Sequence, residues 1–295
     1  MKTFLDCIPC QIRQALQAVR QISDDEILAE SILRSALFLA SKIDYSQPPA
    51  LIGREIHAHI RRDTQNKDPY AAIKKKANET ALAVAPAIRE EIIASDDPFQ
   101  TALRYAIAGN ILDFALYDGW DDDRFQNNLQ DARTKPINAD QLNELKNKID
   151  KAENILYLAD NAGETVFDRL LLEQIPSKNI TYAVKGYPII NDALKEDAKI
   201  AGIDEFATII DNGSDCAGTV LCLCSRSFME AFELADLVIA KGQANFETLC
   251  NAQREVFFLT QIKCSIIGRD LNGEIGDWVI TSTTQINLDK KSDKK

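Results

Sequence analysis

The stretch Ile155–Ile175, ILYLADNAGETVFDRLLLEQI, constrains the fold more than any other part of the chain. Its first five residues are apolar without a break, the length and composition of a buried strand. Asp160-Asn161-Ala162-Gly163 follows, a turn composition. Val166, Leu170, Leu171 and Ile175 then recur at helical spacing, with Glu164, Asp168, Arg169 and Glu173 between them. The pattern predicts strand, tight loop, helix. In an open parallel sheet, ligands bind beyond the carboxyl ends of the strands. Asp160 and Asn161 are expected at such an end, beside a helix N-terminus that favours anions. A carboxylate and an amide oxygen are hard donors, suited to Mg²⁺ or Mn²⁺. A plain Asp/Asn helix cap would use the same residues, so the rest of the chain must decide.

The pattern recurs downstream. Ile180–Val184, Phe206–Ile210, Leu237–Ala240 and Val256–Leu259 are further strand-like runs, Trp278-Val279-Ile280 is a short closing strand, and helical patterns lie between them. Residues 219–224 suit either a strand or the approach to a helix over Ser227–Leu234. Strands alternating with helices imply βαβ units and a mostly parallel sheet. The first half instead carries helical spacing, around 25–42, 50–62, 69–94 and 98–117. Ser23-Asp24-Asp25-Glu26 has the capping-box pattern, and Asp97-Pro98 reads as a cap followed by first-turn proline. The last of these helices contains Gly109-Asn110-Ile111-Leu112-Asp113, with Asn110 on the edge of its apolar stripe and Asp113 three residues on, so both side chains can point one way. Polar groups against an apolar stripe need partners, either a local hydrogen bond or an active cleft in the second half.

Four strand ends carry polar, glycine-containing loops: Asp160–Gly163, Lys185–Asp192, Asp211–Thr219 and Lys241–Glu247. Right-handed crossovers bring such ends to one edge. That edge then holds acids (Asp160, Asp192, Asp215), amides (Asn161, Asn191, Asn245) and two lysines (Lys185, Lys241). Carboxylates with an amide suit a hard divalent ion, and lysines with free backbone N–H groups suit a phosphoryl group. A metal beside a phosphate clamp can stabilise the charge of phosphoryl transfer and activate water. A net charge of −11 argues against a nucleic-acid backbone as partner but not against a small phosphorylated one. No signal segment or membrane-length apolar run is visible, and seven cysteines, an odd number, lie mostly in apolar contexts; these predict a cytoplasmic protein without a disulfide framework.

In order, Cys7-x-x-Cys10, Gly109-Asn110-x-x-Asp113, Asp160-Asn161-Ala162-Gly163-Glu164, Pro188-Ile189-Ile190-Asn191-Asp192-Ala193 and the run Asp236–Glu247 span nearly the whole chain. This series resembles the metal-dependent damage-control phosphatases, first catalogued as domain of unknown function 89. The resemblance implies an α/β fold: an N-terminal all-helical domain, here residues 1–148, on a Rossmann-like, mostly parallel sheet domain, 149–287, with a frayed tail at 288–295. It implies hydrolysis of small phosphorylated metabolites (sugar phosphates or related phosphomonoesters) with Mg²⁺, Mn²⁺, Co²⁺ or Ni²⁺. The family's metal ligands fall on Asp160, Asn161 and Asp192, and its phosphate-binding lysine on Lys241. Asn110 and Asp113 match the motif that faces the site, with Lys185 and Asn245 as further substrate-binding candidates and Asp215 a poorer match. Water at the metal or a carboxylate such as Asp113 would attack phosphorus, an alternative left open by the residues. Two other classes compete: an adenosyl-dependent methyltransferase, against which stands the lack of a GxGxG loop after the first strand, and a non-catalytic phosphometabolite- or metal-binding module. Cys7 and Cys10 supply only two of the four ligands of a zinc site, unless Cys264 folds nearby. His57 and His59 read as surface or internally satisfied histidines. The oligomeric state is not legible.

Overall fold

The computed structural model describes residues 1–111, 122–175 and 178–286. Among these residues seven helices come first: α1 (Cys7–Arg20), α2 (Glu26–Ala40), α3 (Pro49–Thr64), α4 (Ala71–Ala94), α5 (Pro98–Ala108), α6 (Asp122–Thr134) and α7 (Ala139–Lys151). The alternating part follows: β1 (Asn154–Leu158), α8 (Glu164–Leu172), β2 (Asn179–Val184), α9 (Lys195–Ile200), β3 (Thr208–Asp211), α10 (Arg226–Leu234), β4 (Leu237–Lys241), α11 (Gly242–Leu249), β5 (Phe257–Gln261), α12 (Ser265–Leu271) and β6 (Trp278–Ser282). The strands form one sheet in the order β3-β2-β1-β4-β5-β6, parallel except for β6. This is the expected mostly parallel, Rossmann-like α/β fold. The order reverses between β1 and β4, so the crevice for a ligand opens beyond Leu158 and Lys241.

Period-two alternation divides the sheet residues between two cores. Ile155, Tyr157, Tyr182 and Ile239 pack with α4, α5, α7 and α8 on one face. Leu156, Leu158, Val238 and Phe258 pack with α10, α11 and α12 on the other. Helices α1, α2 and α3 share a third core with Tyr70.

Several boundaries differ from expectation for local reasons. The cap of α2 is Asp25, whose carboxylate accepts from the Ile27 and Leu28 N–H groups, so the Ser23 capping box does not form. Asp97 caps α5 as expected, accepting from Gln100 N–H. That helix ends at Ala108 in the tighter turn Gly109–Ile111, while the rest of the predicted helix, Asp113 included, lies outside the described residues, as does the tail. Residues 219–224 are the approach to a helix rather than a strand: Leu221–Leu223 is a short 3₁₀ turn, and Ser225 caps α10. No helix among the described residues is long and apolar enough to cross a membrane.

His57 corrects the histidine reading. It is 2% exposed, inside the α1–α3 region against Tyr70, and among the described residues its Nε2 has no hydrogen-bond partner. Burial, with a smaller push from Arg61, lowers its pKa to about 3. The folded state thus resists a proton that the unfolded chain accepts near pH 6.5. Stability from this residue is whole above about pH 6.5 and lost as pH falls towards 3, at up to ~1.4 kcal/mol per pH unit. His57→Phe is expected to flatten the loss of urea stability between pH 6.5 and 4; an unchanged slope would exclude His57 as its source.

Candidate active site

The loops after β1 and β2 are joined to each other by main chain. Ala193 N–H donates to the Asp160 carbonyl at 2.8 Å, and Ala162 N–H donates to the Asn191 carbonyl at 2.9 Å. Asn161 and Asp192 pair across this junction as an isolated antiparallel bridge. Asp160, Asn161 and Asp192 come together on the wall of one cleft of about 170 Å³, as the sequence predicts. Their loop holds Ile190 at φ +43°, a costly conformation for a β-branched residue, of order 1–3 kcal/mol. Ile190 packs against the α1–α3 core, which holds it there.

The Asp160 and Asn161 side chains are aimed from behind. Asn110 Nδ2 donates to Asp160 Oδ2 at 2.6 Å and to the two Glu164 oxygens at 3.3 and 3.1 Å. Asn161 Nδ2 donates to Asp160 Oδ2 at 2.8 Å and to Glu164 Oε2 at 3.1 Å. With its nitrogen turned to these carboxylates, Asn161 has Oδ1 to offer a cation. Gly242, at φ +77°, closes the arrangement, because a β-carbon there would overlap the Asp160 carboxylate.

Beneath lies a wholly buried ion cluster. Lys241 Nζ donates to Glu164 Oε1 at 2.7 Å, Asp168 Oδ1 at 2.6 Å and the Ala106 carbonyl at 2.9 Å. Tyr157 and Tyr182 donate their hydroxyls to Asp168 at 2.7 and 2.6 Å. Burial opposes the charge on Lys241, but Asp168 and Glu164 outweigh it and hold the ammonium's pKa above the usual lysine value. Burial, then Asp168, pushes both tyrosine pKa values well up, so the hydroxyls remain donors.

This geometry gives Lys241 a different place from the one expected of a phosphate clamp: all three ammonium protons have acceptors inside the protein. Asn110 and Asn245 are buried supports as well. Asn245 Nδ2 donates to the Ala159 and Lys241 carbonyls at 3.1 and 2.8 Å, and its Oδ1 accepts from Thr219 at 2.7 Å, tying the ends of β1 and β4 together. Lys185, also buried, bonds the Gly218 carbonyl and stands 3.4 Å from Asp192 Oδ2. Asp215 is removed from the ligand set by Arg54 and Arg61 of α3, the latter at 2.9 Å.

Sequence reasoning missed three groups. Glu164 and Asp168 read there only as polar residues between apolar ones, although Glu164 stands in the DNAGE run. Lys263 is, among the described residues lining the cleft, the only lysine or arginine. Cys7, Cys10 and Cys264 line the same cleft, so Cys264 does fold nearby. Even so, no group of three or more His, Cys, Asp or Glu among the described residues is arranged to hold a metal. All seven thiols are unbridged. Burial raises the pKa of Cys7 to about 11 and also raises those of Cys10 and Cys264, so these thiols stay protonated near neutral pH.

Residues 3–279 match the family model of the damage-control phosphatase ARMT1-like domain. The chain belongs to the ARMT1-like damage-control phosphatase family. It is 35% identical to a damage-control phosphatase of Pyrococcus horikoshii, over 92% of this chain and 94% of that protein. It is 32% identical to a damage-control phosphatase of Archaeoglobus fulgidus, over 95% and 98%. The crystal structure of a DUF89 family protein from Pyrococcus horikoshii superposes with a TM-score of 0.86 at 34% identity, covering 96% of this chain and 99% of that one. Membership selects the phosphatase from the three classes weighed on the sequence, and the protein is accordingly a hydrolase.

The ion cluster makes Lys241 a stability determinant. Removing one partner of a buried ion network leaves an uncompensated charge, at a cost of about 3–5 kcal/mol. Lys241→Met is therefore expected to lower the urea midpoint by that equivalent. A variant as stable as the parent would show that the two carboxylates do not need this counter-ion.

Proposed function

We propose that this phosphatase is metal-dependent and hydrolyses small phosphorylated metabolites, sugar phosphates or related phosphomonoesters, with Asp160, Asn161 and Asp192 holding one divalent cation. The observation that carries the reading is the convergence of these three hard oxygen donors from two stitched loops, at the point where the sheet order reverses. The donor set fits Mg²⁺, Mn²⁺, Co²⁺ or Ni²⁺, and Gly242 leaves room that any side chain would fill. Such an ion, when bound, supplies a Lewis acid for the phosphoryl oxygens and makes water more acidic.

The chain's own residues do the rest. Asn110 and Glu164 fix the directions of Asp160 and Asn161. Lys185 beside Asp192 and Lys263 on the cleft wall bring positive charge to the phosphoryl group. Lys241 and Asn245 shape the floor on which that group rests. Asp113 shares the GNxxD motif with Asn110; its part as nucleophile or proton acceptor is proposed from that motif alone. A cytoplasmic setting accords with seven unbridged cysteines, and the net charge of −11 accords with the absence of nucleic acid from its partners.

Exhaustive chelation should abolish phosphate release from a generic phosphate ester, and Mn²⁺, Co²⁺, Ni²⁺ or Mg²⁺ should restore it. Full turnover by the stripped protein would sink the metal-dependent reading. Asp192→Asn should lose Mn²⁺ affinity in calorimetry and, because it removes the carboxylate beside the buried Lys185, melt lower while still folding; unchanged affinity would remove Asp192 from the ligand set. Lys263→Ala, which leaves Asp160, Asn161 and Asp192 in place, should raise KM for the ester about tenfold or more while Mn²⁺ affinity holds, the loss of one charge-assisted contact. An unchanged KM would place Lys263 outside the substrate's reach.

A further inference from the structure

We propose that Asn78, on α4, is the positioning residue that fixes the two metal-ligand loops relative to each other; this rests on the metal-site reading above. Helix α4 passes directly behind the first loop. Gly163 has φ +74°, and a β-carbon there would come within 2.9 Å of the Ala77 β-carbon and 3.0 Å of its backbone. Helix and loop thus touch with nothing between them. The next residue, Asn78, is 3% exposed. Its Oδ1 accepts from Gly163 N–H at 2.6 Å, on the loop of Asp160 and Asn161. Its Nδ2 donates to Asp197 Oδ1 at 2.7 Å, on the segment that follows Asp192. The other Asp197 oxygen accepts from Leu194 N–H at 2.9 Å, which ties that carboxylate to the chain two residues past Asp192.

One planar amide therefore spans both loops, with its acceptor on one and its donor on the other. Only an amide puts an acceptor and a donor on separate atoms here: a carboxylate offers two acceptors and no donor, an aliphatic group offers neither, and a hydroxyl carries both on one oxygen. Its two buried polar ends are costly to leave unbonded, so the amide holds its partners at a fixed spacing. Its two amide partners, Gly163 N–H and Asp197, are not among Asp160, Asn161 and Asp192, so its effect on a cation passes through the loops. Partners that hydrogen-bond the ligands directly change metal affinity about 10–100-fold when removed, and this sets the scale expected for a residue that holds the ligand loops.

The test is a donor–acceptor exchange in the full-length protein. Asn78→Asp sets two carboxylates face to face, whereas the double variant N78D/D197N restores a donor opposite an acceptor. Mn²⁺ affinity by calorimetry, kcat and KM for a generic phosphate ester at saturating Mn²⁺, and melting temperature are measured on each. N78D is expected to bind Mn²⁺ about 10–100-fold more weakly and to lose kcat with little change in KM, and the double variant to regain most of both. If N78D does not fold, Asn78→Ser and the double variant carry the comparison. A lowered melting temperature with unchanged Mn²⁺ affinity, or a double variant that recovers stability but not affinity, overturns the proposal. Asp192→Asn separates the two readings. If it loses Mn²⁺ while N78D and N78S do not, only the role of Asn78 fails; if it binds Mn²⁺ like the parent, the metal site fails and this role with it.

Discussion

An ammonium and two carboxylates, out of water together, are the interaction on which the rest of this structure depends. Lys241 ends β4, Glu164 and Asp168 stand one turn apart at the start of α8, and the Ala106 carbonyl comes from α5. Tyr157 and Tyr182 add donors from β1 and β2. Desolvating each ion costs several kcal/mol, and only good geometry with every proton and lone pair engaged offsets it. Here the geometry also gathers three adjacent strands and two helices to one point under the place where strand order reverses. Counted formally, the cluster has one positive and two negative groups. With Asp160 and Asp192 above it, the cleft floor is electrostatically suited to a divalent cation.

Backbone proximity does the remaining aiming. Gly242 lets α11 begin against the Asp160 carboxylate, and Gly163 lets α4 lie on the loop. Ile190, on the Asp192 loop, is held in the left-handed region by the core of α1, α2 and α3. The last two contacts join the first half of the chain to the loops that carry Asp160 and Asp192. The helices are therefore part of the site's construction as much as the sheet is.

How far the sequence discloses this depends on the kind of signal. The strand–loop–helix at Ile155–Ile175 was legible because apolar runs and helical spacing are local, and the parallel sheet followed from their alternation. That Asp160, Asn161 and Asp192 lie near one another was legible because strand ends gather at one edge, but that edge also held Asp215, Asn191, Asn245 and two lysines, and only the family resemblance singled out the three. The place of Lys241 was not: a lysine after an apolar strand looks the same whether it faces solvent or carboxylates, and only packing against α5 and α8 decides. Asn78 and Glu164 were hidden for the same reason, since their partners come from elsewhere in the chain or are masked by ordinary amphipathic spacing. The Ser23 capping box failed because Asp25, two residues on, caps better where the chain turns. His57 was misread because, although it lies on the buried stripe of α3 with Gly53, Ile56 and Ile60, spacing alone does not tell whether a polar residue there finds a partner.

The separation of Lys241 from its carboxylates along the chain has a consequence for synthesis. Glu164 and Lys241 are 77 positions apart. At ribosomal rates of 5–20 residues per second, the lysine emerges about 4–15 s after the acid it must neutralise. Until then neither Glu164 nor Asp168 can leave water without a large penalty. The nascent β1–α8 unit must stay open, its apolar face only loosely gathered, while β2, β3 and α10 are made. Arrival of β4 at the centre of the sheet then brings the counter-ion and the middle strand in one event, so the emerging polypeptide is most in need of chaperone cover during that interval.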